Sequence, residues 1–158
     1  MRAMLDSMVT DHFLASPEVR AQADALVRDR RLTLLTTHVQ RDQVGQTPDE
    51  AKRAGLLAVQ QRLTPIATHG LVWDISNWDE GYWGSPEAGE RTVALAGNSP
   101  KHMADALIAV TAEANSDVLV TDDARLRKRA ERLNFAKPIW SFDQLAQWIA
   151  SESEIATP

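Results

Sequence analysis

Short apolar runs alternate along this chain with longer segments whose apolar residues recur at helical spacing. The runs predict strands, which we place at residues 2–6, 32–36, 71–75, 117–121 and 138–140. The clearest helical stripe consists of Met103, Ala106, Leu107, Val110 and Ala114. Strands that alternate with helices favour a parallel sheet with right-handed crossovers. We therefore predict an α/β fold, a three-layer α/β/α sandwich around a mainly parallel sheet of four or five strands.

Polar caps mark the predicted helix starts, and at two of them proline is the next residue. The order Ser16-Pro17 predicts a helix to about residue 30, and Thr47-Pro48 predicts one to about residue 63. Further helices are predicted after residue 37, from residue 100, from 122 to 133 and after 141. The glycine-rich stretch 76–92 is predicted to be an irregular surface excursion. We treat residues 1–150 as a single domain and residues 151–158 as a frayed C-terminal tail.

Length, cysteine content and charge narrow the class of protein. A chain of 158 residues without cysteine is most simply one domain, without disulfides, thiolate catalysis or cysteine-based zinc sites. No apolar run approaches the roughly 20 residues of a membrane helix, and acids occur too early for a signal peptide. We therefore expect a cytoplasmic protein without membrane contact. The formal net charge of −5 argues against binding nucleic acid by bulk charge but does not exclude a nuclease.

Four aspartates stand where a parallel sheet would bring them together. Asp6 ends the first predicted strand, and Asp123 follows the strand at 117–121. Asp42 lies early on the helix after the second strand, and Asp105 lies near the start of the helix that precedes residue 117. Because ligands gather outside the carboxyl ends of parallel strands, we expect one shared edge. A cluster of carboxylates favours Mg²⁺ or Mn²⁺, which activate a bound water for phosphodiester hydrolysis.

Other residue groups permit two interpretations each. The basic run after Asp123 is either an exposed helix face or an edge that binds phosphate; its members are Arg125, Arg127, Lys128, Arg129 and Arg132. The aromatic residues between positions 73 and 83 either pack against protein or stack on unpaired bases; they are Trp73, Trp78, Tyr82 and Trp83. The four histidines form no HxxxH or HxH pair, which argues against a histidine metal site.

Four segments of the chain resemble those of the PIN-domain ribonucleases, the family that includes the toxins of VapBC-type toxin–antitoxin modules. They are MLDSMVTDHFL, TTHVQRDQV, KHMADALIAVTAE and DVLVTDDARLRKRAERL, and the resemblance spans about residues 3–150. The last two segments are the more specific. The resemblance implies a PIN-like fold and a ribonuclease dependent on Mg²⁺ (or Mn²⁺), whose catalytic residues are Asp6, Asp42, Asp105 and Asp123.

The resemblance also assigns roles around these acids. It implies that Asp6, Asp105 and Asp123 hold the metal, and Asp123 is the primary ligand because it follows a threonine and one variable residue. The adjacent Asp122 is included as a further ligand. The hydroxyl of Ser7 is expected to bond to Asp6 or to a phosphate. Substrate contacts are therefore expected from three residues, Ser7, Arg125 and Lys128.

The function implied by the resemblance is hydrolysis of RNA by an endoribonuclease, the toxin of a toxin–antitoxin pair. Its expected partners are RNA, an antitoxin protein and a second copy of the chain in a homodimer. The main alternative is a catalytically weak or inactive PIN-like module that binds RNA or protein. It is motivated by the sequence pI near 5.3 and by Asp42, since the family's second acid is most often glutamate. Asp49 and Glu50 are nearby substitutes for Asp42.

Two other enzyme or signalling classes fit the sequence poorly. A phosphatase with an aspartate nucleophile would need a second aspartate two residues after Asp6, where the chain has Met8. A receiver domain would need a lysine after a late strand, and the segment 138–141 contains none.

Overall fold

The computed structural model of the protein describes residues 1–72, 75–76, 79–97 and 99–155, and a parallel five-stranded sheet forms its centre. The strands of the described residues are β1 Arg2–Leu5, β2 Thr33–Thr36, β3 Thr64–Pro65, β4 Thr68–His69, β5 Gly81–Tyr82, β6 Val118–Val120 and β7 Ile139–Trp140. The central sheet has the order β3-β2-β1-β6-β7, and β4 pairs separately with β5. Every one of these pairings is parallel.

Helices cover both faces of the central sheet, which confirms the predicted three-layer α/β/α sandwich. They are α1 Ser7–Ala15, α2 Pro17–Arg28, α3 His38–Gly45, α4 Glu50–Gln60, α5 Pro86–Ala96, α6 Met103–Asn115, α7 Ala124–Arg132 and α8 Phe142–Ile155. A short 3₁₀ turn at Pro100–His102 precedes α6. None of the helices in the described ranges is both long enough and apolar enough to cross a membrane.

The alternation of side chains along the strands divides the core into two layers. Ala3 and Leu5 of β1 face one side of the sheet with Leu34 of β2, and pack against α1, α2, α4 and α8. Met4 and Leu35 face the other side, where α3, α5, α6 and α7 pack. Because both faces are covered by apolar side chains, each central strand is a continuous apolar run in the sequence.

The strand order reverses between β1 and β6. β2 and β3 extend the sheet on one side of β1, while β6 and β7 extend it on the other. Such a switch point opens a crevice outside the carboxyl ends of the two strands. Asp6 follows β1 directly and Asp123 lies three positions after β6, so the fold brings both chain segments to this crevice.

The predicted strand at residues 71–75 is not formed in its described part. Residues 73–74 lie outside the described residues, and Ile75 lies in a turn where its N–H donates to Val72 O. The strands that do form nearby, β4 and β5, have two residues each. A strand of two residues is too short to show the alternation of polar and apolar residues from which strands are predicted.

Two helices begin at positions that the sequence pattern placed elsewhere. Asp49, and not Thr47, caps α4, because its carboxylate accepts a hydrogen bond from Lys52 N at 2.9 Å. The stretch 76–92, predicted to be irregular throughout, becomes helical where Ser85 caps α5. In both cases the side chain that accepts from the first helical turn sets the start of the helix.

Two further helical segments were not predicted. Asp6 caps α1, which occupies the residues directly after β1 and follows no extended apolar stripe. Near the other terminus, residues 151–155 belong to α8. The side chain of Arg31 bonds both the main-chain oxygen and the carboxylate of Glu152, and this contact holds the last turns of α8 against the chain before β2.

Candidate active site

Asp6 lies at the carboxyl end of β1 with its carboxylate held by the fold. Its Oδ1 accepts hydrogen bonds from the backbone N–H of Ser7 at 2.7 Å and from the Ser7 hydroxyl at 3.3 Å. Its Oδ2 accepts from the hydroxyl of Thr121 at 2.7 Å. Because Asp6 is only 3% exposed, these three bonds fix its orientation. Ser7 therefore makes the contact with Asp6 that the sequence predicted.

Thr121 links the ends of β1 and β6. Its hydroxyl donates to Asp6 and accepts from the backbone N–H of Asp123 at 3.1 Å. The backbone reinforces this link, since Asp6 N donates to Val120 O at 2.9 Å. Sequence reasoning used Thr121 only as a marker for Asp123. Its contact with Asp6 depends on the pairing of β1 with β6, which no local pattern reveals.

Asp105 is a half-buried carboxylate in the first turn of α6 that makes no hydrogen bond to any described residue. Burial, together with the negative charges of Asp6 and Asp123, raises the pKa of Asp105 to about 6. The positive charge of Arg129 acts in the opposite direction. Asp105 therefore lies within electrostatic range of the two acids at the switch point.

The same influences act on Asp6. Burial raises the pKa of Asp6 above its usual value, the bonds from Thr121 and Ser7 oppose this change, and the charge of Asp123 adds to it. Asp6, Asp105 and Asp123 thus form one electrostatically coupled cluster, which we call the three-acid cluster. Repulsion within such a cluster is relieved by protonation or by a bound cation.

Asp123 belongs to this cluster and also caps α7. Its Oδ1 accepts from the backbone N–H groups of Arg125 at 2.7 Å and Leu126 at 3.2 Å. Its Oδ2 accepts no hydrogen bond from a described residue. One oxygen of Asp123 therefore fixes the start of α7, and the other remains available to a ligand.

The structure does not bring Asp122, the further predicted metal ligand, into the three-acid cluster. The Oδ1 of Asp122 accepts from Phe142 N at 3.2 Å, and its Oδ2 lies 3.2 Å from His12 Nε2. Its charge is not among those that shift the pKa values of Asp6 and Asp105. The reason is geometric, because successive side chains of an extended segment point to opposite sides.

The structure does not bring Asp42 into the three-acid cluster, and its predicted catalytic role stays a prediction. Asp42 is exposed on α3, where its carboxylate lies 3.7 Å from Arg41 Nε. Its charge does not contribute to the pKa shifts of Asp6 or Asp105. It lines a groove of about 410 Å³ with Val39, Gln43, Gln46, Ile75, Ser76 and Ala104, the residue directly before Asp105. The suggested substitutes Asp49 and Glu50 are exposed at the start of α4.

Gln40 is the α3 residue that reaches the carboxyl edge of the sheet. It is fully buried, and its Nε2 donates to Leu5 O at 2.8 Å while its Oε1 accepts from Thr37 N at 2.9 Å. The second bond belongs to a capping box at the start of α3. The sequence does contain the pattern of a capping box, a threonine followed three positions later by a glutamine. A search for carboxylates passes over it because glutamine carries an amide.

The basic residues of α7 differ in their relation to the cluster. Arg125 and Lys128, the two predicted substrate contacts, are exposed, and neither contributes to the pKa shifts of Asp6 or Asp105. Arg129 is partly buried and its charge does act on Asp105. Of these three basic residues, Arg129 is the one whose charge acts on Asp105, and the substrate contacts of Arg125 and Lys128 stay predictions.

The three-acid cluster offers the carboxylate oxygens that divalent cations prefer, but it does not supply a complete set of protein ligands. Among the described residues, no group of three or more histidine, aspartate and glutamate side chains is placed to hold a metal ion. Both oxygens of Asp105 and the Oδ2 of Asp123 nevertheless remain available to a ligand. Mg²⁺ typically keeps several waters and takes only one or two carboxylates, so the donor chemistry fits this class of ion.

Comparisons with known proteins leave the family unassigned. No protein-family model matches the chain, and no curated protein matches it. The functional conclusion depends on the geometry of the three-acid cluster and on the resemblance of the four sequence segments to PIN-domain ribonucleases.

Proposed function

We propose that the protein is a metal-dependent endoribonuclease of the PIN-domain type that hydrolyses phosphodiester bonds in RNA. The observation that carries the proposal is the mutual repulsion of Asp6, Asp105 and Asp123 beside the switch point of the sheet. A half-buried carboxylate without a hydrogen-bond partner destabilises the metal-free chain, and a divalent cation would offset this cost. The resemblance of the four sequence segments supports the same function.

Each acid has a distinct role in this proposal. Asp105 and Asp123 would hold Mg²⁺ or Mn²⁺ through the oxygens that the protein leaves available. Asp6, fixed by Ser7 and Thr121, would add negative charge behind them. The ion, when bound, supplies an activated water and stabilises charge that develops on the phosphate. Thr121 would keep the ends of β1 and β6 in register while substrate binds.

The test is cleavage of a labelled single-stranded RNA by the purified protein. We expect cleavage with Mg²⁺ or Mn²⁺ and none with EDTA. Asp105→Asn and Asp123→Asn should each lower kcat by roughly 100-fold or more, because each removes a metal ligand. Asp42→Asn is the matched control and should retain activity within about twofold. Cleavage in EDTA, or full activity of Asp105→Asn, would reject the proposal.

A second candidate is a PIN-like module that binds RNA or protein without cleaving RNA. One observation favours it: α3 presents the amide of Gln40, and not a carboxylate, at this edge. This candidate predicts RNA binding that EDTA does not change and no cleavage with any divalent ion. Mn²⁺-dependent cleavage that disappears in Asp123→Asn would exclude it.

The wider role follows from the family resemblance alone. We propose that the protein acts in the cytoplasm as the toxin of a toxin–antitoxin pair and forms a homodimer. Induced expression should then arrest growth, Asp105→Asn should not, and co-expression of a small neighbouring reading frame should restore growth. Light scattering should give the mass of two chains. Unimpaired growth despite active nuclease in the same cells would separate a housekeeping ribonuclease from a toxin.

A further inference from the structure

The exposed face of α7 carries a row of cations. This helix contains five basic residues and a single acidic one, in a chain whose formal net charge is −5. Arg125, Lys128 and Arg132 are exposed and follow one another at spacings of three and four residues. Because an α-helix has 3.6 residues per turn, these spacings place the three side chains on one face. We call these three residues the α7 stripe.

The cations of the α7 stripe have no acidic partner among the described residues. None of the three forms an ion pair there, whereas Arg31 pairs with Glu152 and Arg91 pairs with Glu113 elsewhere in the chain. Within the described ranges, the side chain of Arg132 donates only to a main-chain oxygen, Lys128 O at 3.3 Å. Since all three side chains are exposed, an anion from outside the protein can reach them.

This row of like charges is unfavourable for the helix itself. Basic side chains three or four residues apart on a helix repel one another, and the α7 stripe contains one spacing of each kind. A cation in the first turn is also unfavourable, because the N-terminus of a helix carries partial positive charge, and Arg125 is the second residue of α7. Folding alone therefore does not favour this arrangement. A bound polyanion would relieve the repulsion.

Hydrogen bonds connect the start of the α7 stripe to the proposed metal ligand Asp123. The Oδ1 of Asp123 accepts from the backbone N–H of Arg125 at 2.7 Å and from that of Leu126 at 3.2 Å. At 1.5 Å per residue, Lys128 and Arg132 lie about 8 and 14 Å from Asp123 along the helix axis. The stripe therefore leads away from Asp123 in steps of roughly one helical turn.

We propose that the α7 stripe binds consecutive phosphates of a single RNA strand, on one side of the phosphodiester that is cleaved beside Asp123, an inference that rests on the proposed function. A nucleic acid strand repeats its negative charge along its length, and the long side chains of lysine and arginine can each meet a separate phosphate. Contacts of this kind position a strand without reading its bases. An acidic protein segment would also carry negative charge, but its binding would not require a row that begins at Asp123.

The test measures how salt weakens the binding of a fluorescently labelled single-stranded RNA, in EDTA so that the RNA is not cleaved. Each phosphate contact on a single strand contributes about 0.7 to the slope of log K against log salt concentration. Lys128→Gln combined with Arg132→Gln should therefore make the slope less steep by about 1.4. The same double variant should weaken binding in about 50 mM KCl by roughly 10-fold. Fluorescence anisotropy over a series of KCl concentrations gives both values.

A matched control removes two other exposed cations. Arg28→Gln combined with Arg30→Gln makes the same change in net charge at and just after the end of α2, which packs on the other face of the sheet. This variant should change the affinity less than about threefold. Equal losses in the two double variants would assign binding to bulk charge and overturn the proposal. Tight binding of a poly-glutamate peptide with the same loss in the stripe variant would indicate an acidic protein partner and also overturn it.

Further measurements separate the inference from the proposed function. With Mg²⁺ and cleavable RNA, the stripe variant should raise KM with little change in kcat, because Lys128 and Arg132 do not touch the reacting phosphate. RNA binding through the stripe without any cleavage would retain the inference and reject the nuclease. Cleavage with an unchanged KM and an unchanged salt slope would do the reverse. A lower unfolding temperature of the stripe variant with unchanged affinity for RNA would indicate a structural role and overturn the inference.

Discussion

Asp105 is the side chain whose ionisation should report on the site most directly. Its folded pKa of about 6 lies above the ordinary value of 3.8, because of burial and of the charges on Asp6 and Asp123. A raised carboxyl pKa means that the folded state binds the proton more tightly than the unfolded state. Asp105 therefore contributes stability below about pH 4, and this contribution is lost as the pH rises through 6.

The first prediction follows from the raised pKa of Asp105. In metal-free protein, Asp105→Asn should raise the free energy of unfolding at pH 7.5 by about 1 to 2 kcal/mol, allowing for screening of a half-buried group. At pH 4 the two proteins should have nearly equal stability, since Asp105 is then protonated. Urea unfolding in EDTA at both pH values measures the difference. Asp29→Asn, an exposed acid at the end of α2, should show no such pH-dependent gain.

Gln40 lies at the carboxyl edge of the sheet, next to Asp6, although it carries no acidic group. The capping box turns its side chain back toward the start of α3, where it bonds Leu5 O directly before Asp6. Asp42, two positions later, lies on the exposed part of the same helix. Which of the two residues faces the sheet edge depends on the direction of each side chain around the helix. The residue type of Asp42 does not reveal that direction.

The second prediction concerns this buried amide. Gln40→Leu leaves Leu5 O and Thr37 N without their side-chain partners, so it should lower the free energy of unfolding by about 2 kcal/mol. Gln40→Glu should be at least as destabilising at pH 7, because a carboxylate cannot donate to Leu5 O and adds charge near Asp6. Urea unfolding measures both. Gln61→Leu, which changes an exposed glutamine at the end of α4, should stay within about 0.5 kcal/mol.

At the scale of elements, the sequence predicted β1, β2, β6 and the two-residue β7, but not β3, β4 and β5. β1, β2 and β6 are apolar on both faces, so each appears in the sequence as a continuous run. β3, β4 and β5 have two residues each and are defined by pairing alone. The structure brings Asp6, Asp105 and Asp123, three of the four aspartates expected at one edge, within electrostatic range of each other. The sequence could not separate Asp122 from Asp123, because the two are adjacent and of the same residue type. The structure distinguishes them, since Asp123 caps α7 and Asp122 accepts from Phe142 N.

The junction of α5, α6 and the chain after α7 depends on one ion pair. Arg91 on α5 holds both oxygens of Glu113 on α6, and it also donates to Leu133 O at 2.6 Å. Glu113 in turn accepts from Ala136 N at 2.8 Å. Burial alone would raise the pKa of Glu113, but the bonds from Arg91 and Ala136 outweigh it and hold the pKa below its usual value.

The third prediction follows from this depressed pKa, whose sign is opposite to that of Asp105. Glu113 contributes stability above its unfolded pKa of 4.5, and the contribution is lost as the pH falls through the lower folded value. Glu113→Gln should cost about 2 kcal/mol at pH 7 and progressively less in acid. Urea unfolding at pH 7 and pH 3.5 tests this. Glu90→Gln, an exposed acid on α5, is the control, and an equal loss in both variants would contradict the assignment.

At the scale of the whole molecule, these two groups give the metal-free protein opposing responses to pH. Asp6 and Asp105 favour the folded state when protonated, whereas Glu113 favours it when ionised. Removal of the repulsion among Asp6, Asp105 and Asp123 is therefore the main change that a divalent cation can make to global stability near neutral pH. A ligand that binds the cluster in the folded chain and does not bind the unfolded chain raises the free energy of unfolding.

The fourth prediction is that Mn²⁺ or Mg²⁺ raises the unfolding temperature of the whole protein in proportion to the logarithm of its concentration. At 100 times the Kd the gain should be about 2.7 kcal/mol. Asp105→Asn should abolish most of this gain, because Asp105 belongs to the three-acid cluster. Asp42→Asn should leave the gain in place, because Asp42 does not belong to it. The gain should also shrink from pH 7.5 to pH 5, where protons compete for Asp105. Scanning calorimetry at both pH values measures this. An equal cation effect in Asp105→Asn and in the unchanged protein would place the binding site elsewhere in the chain.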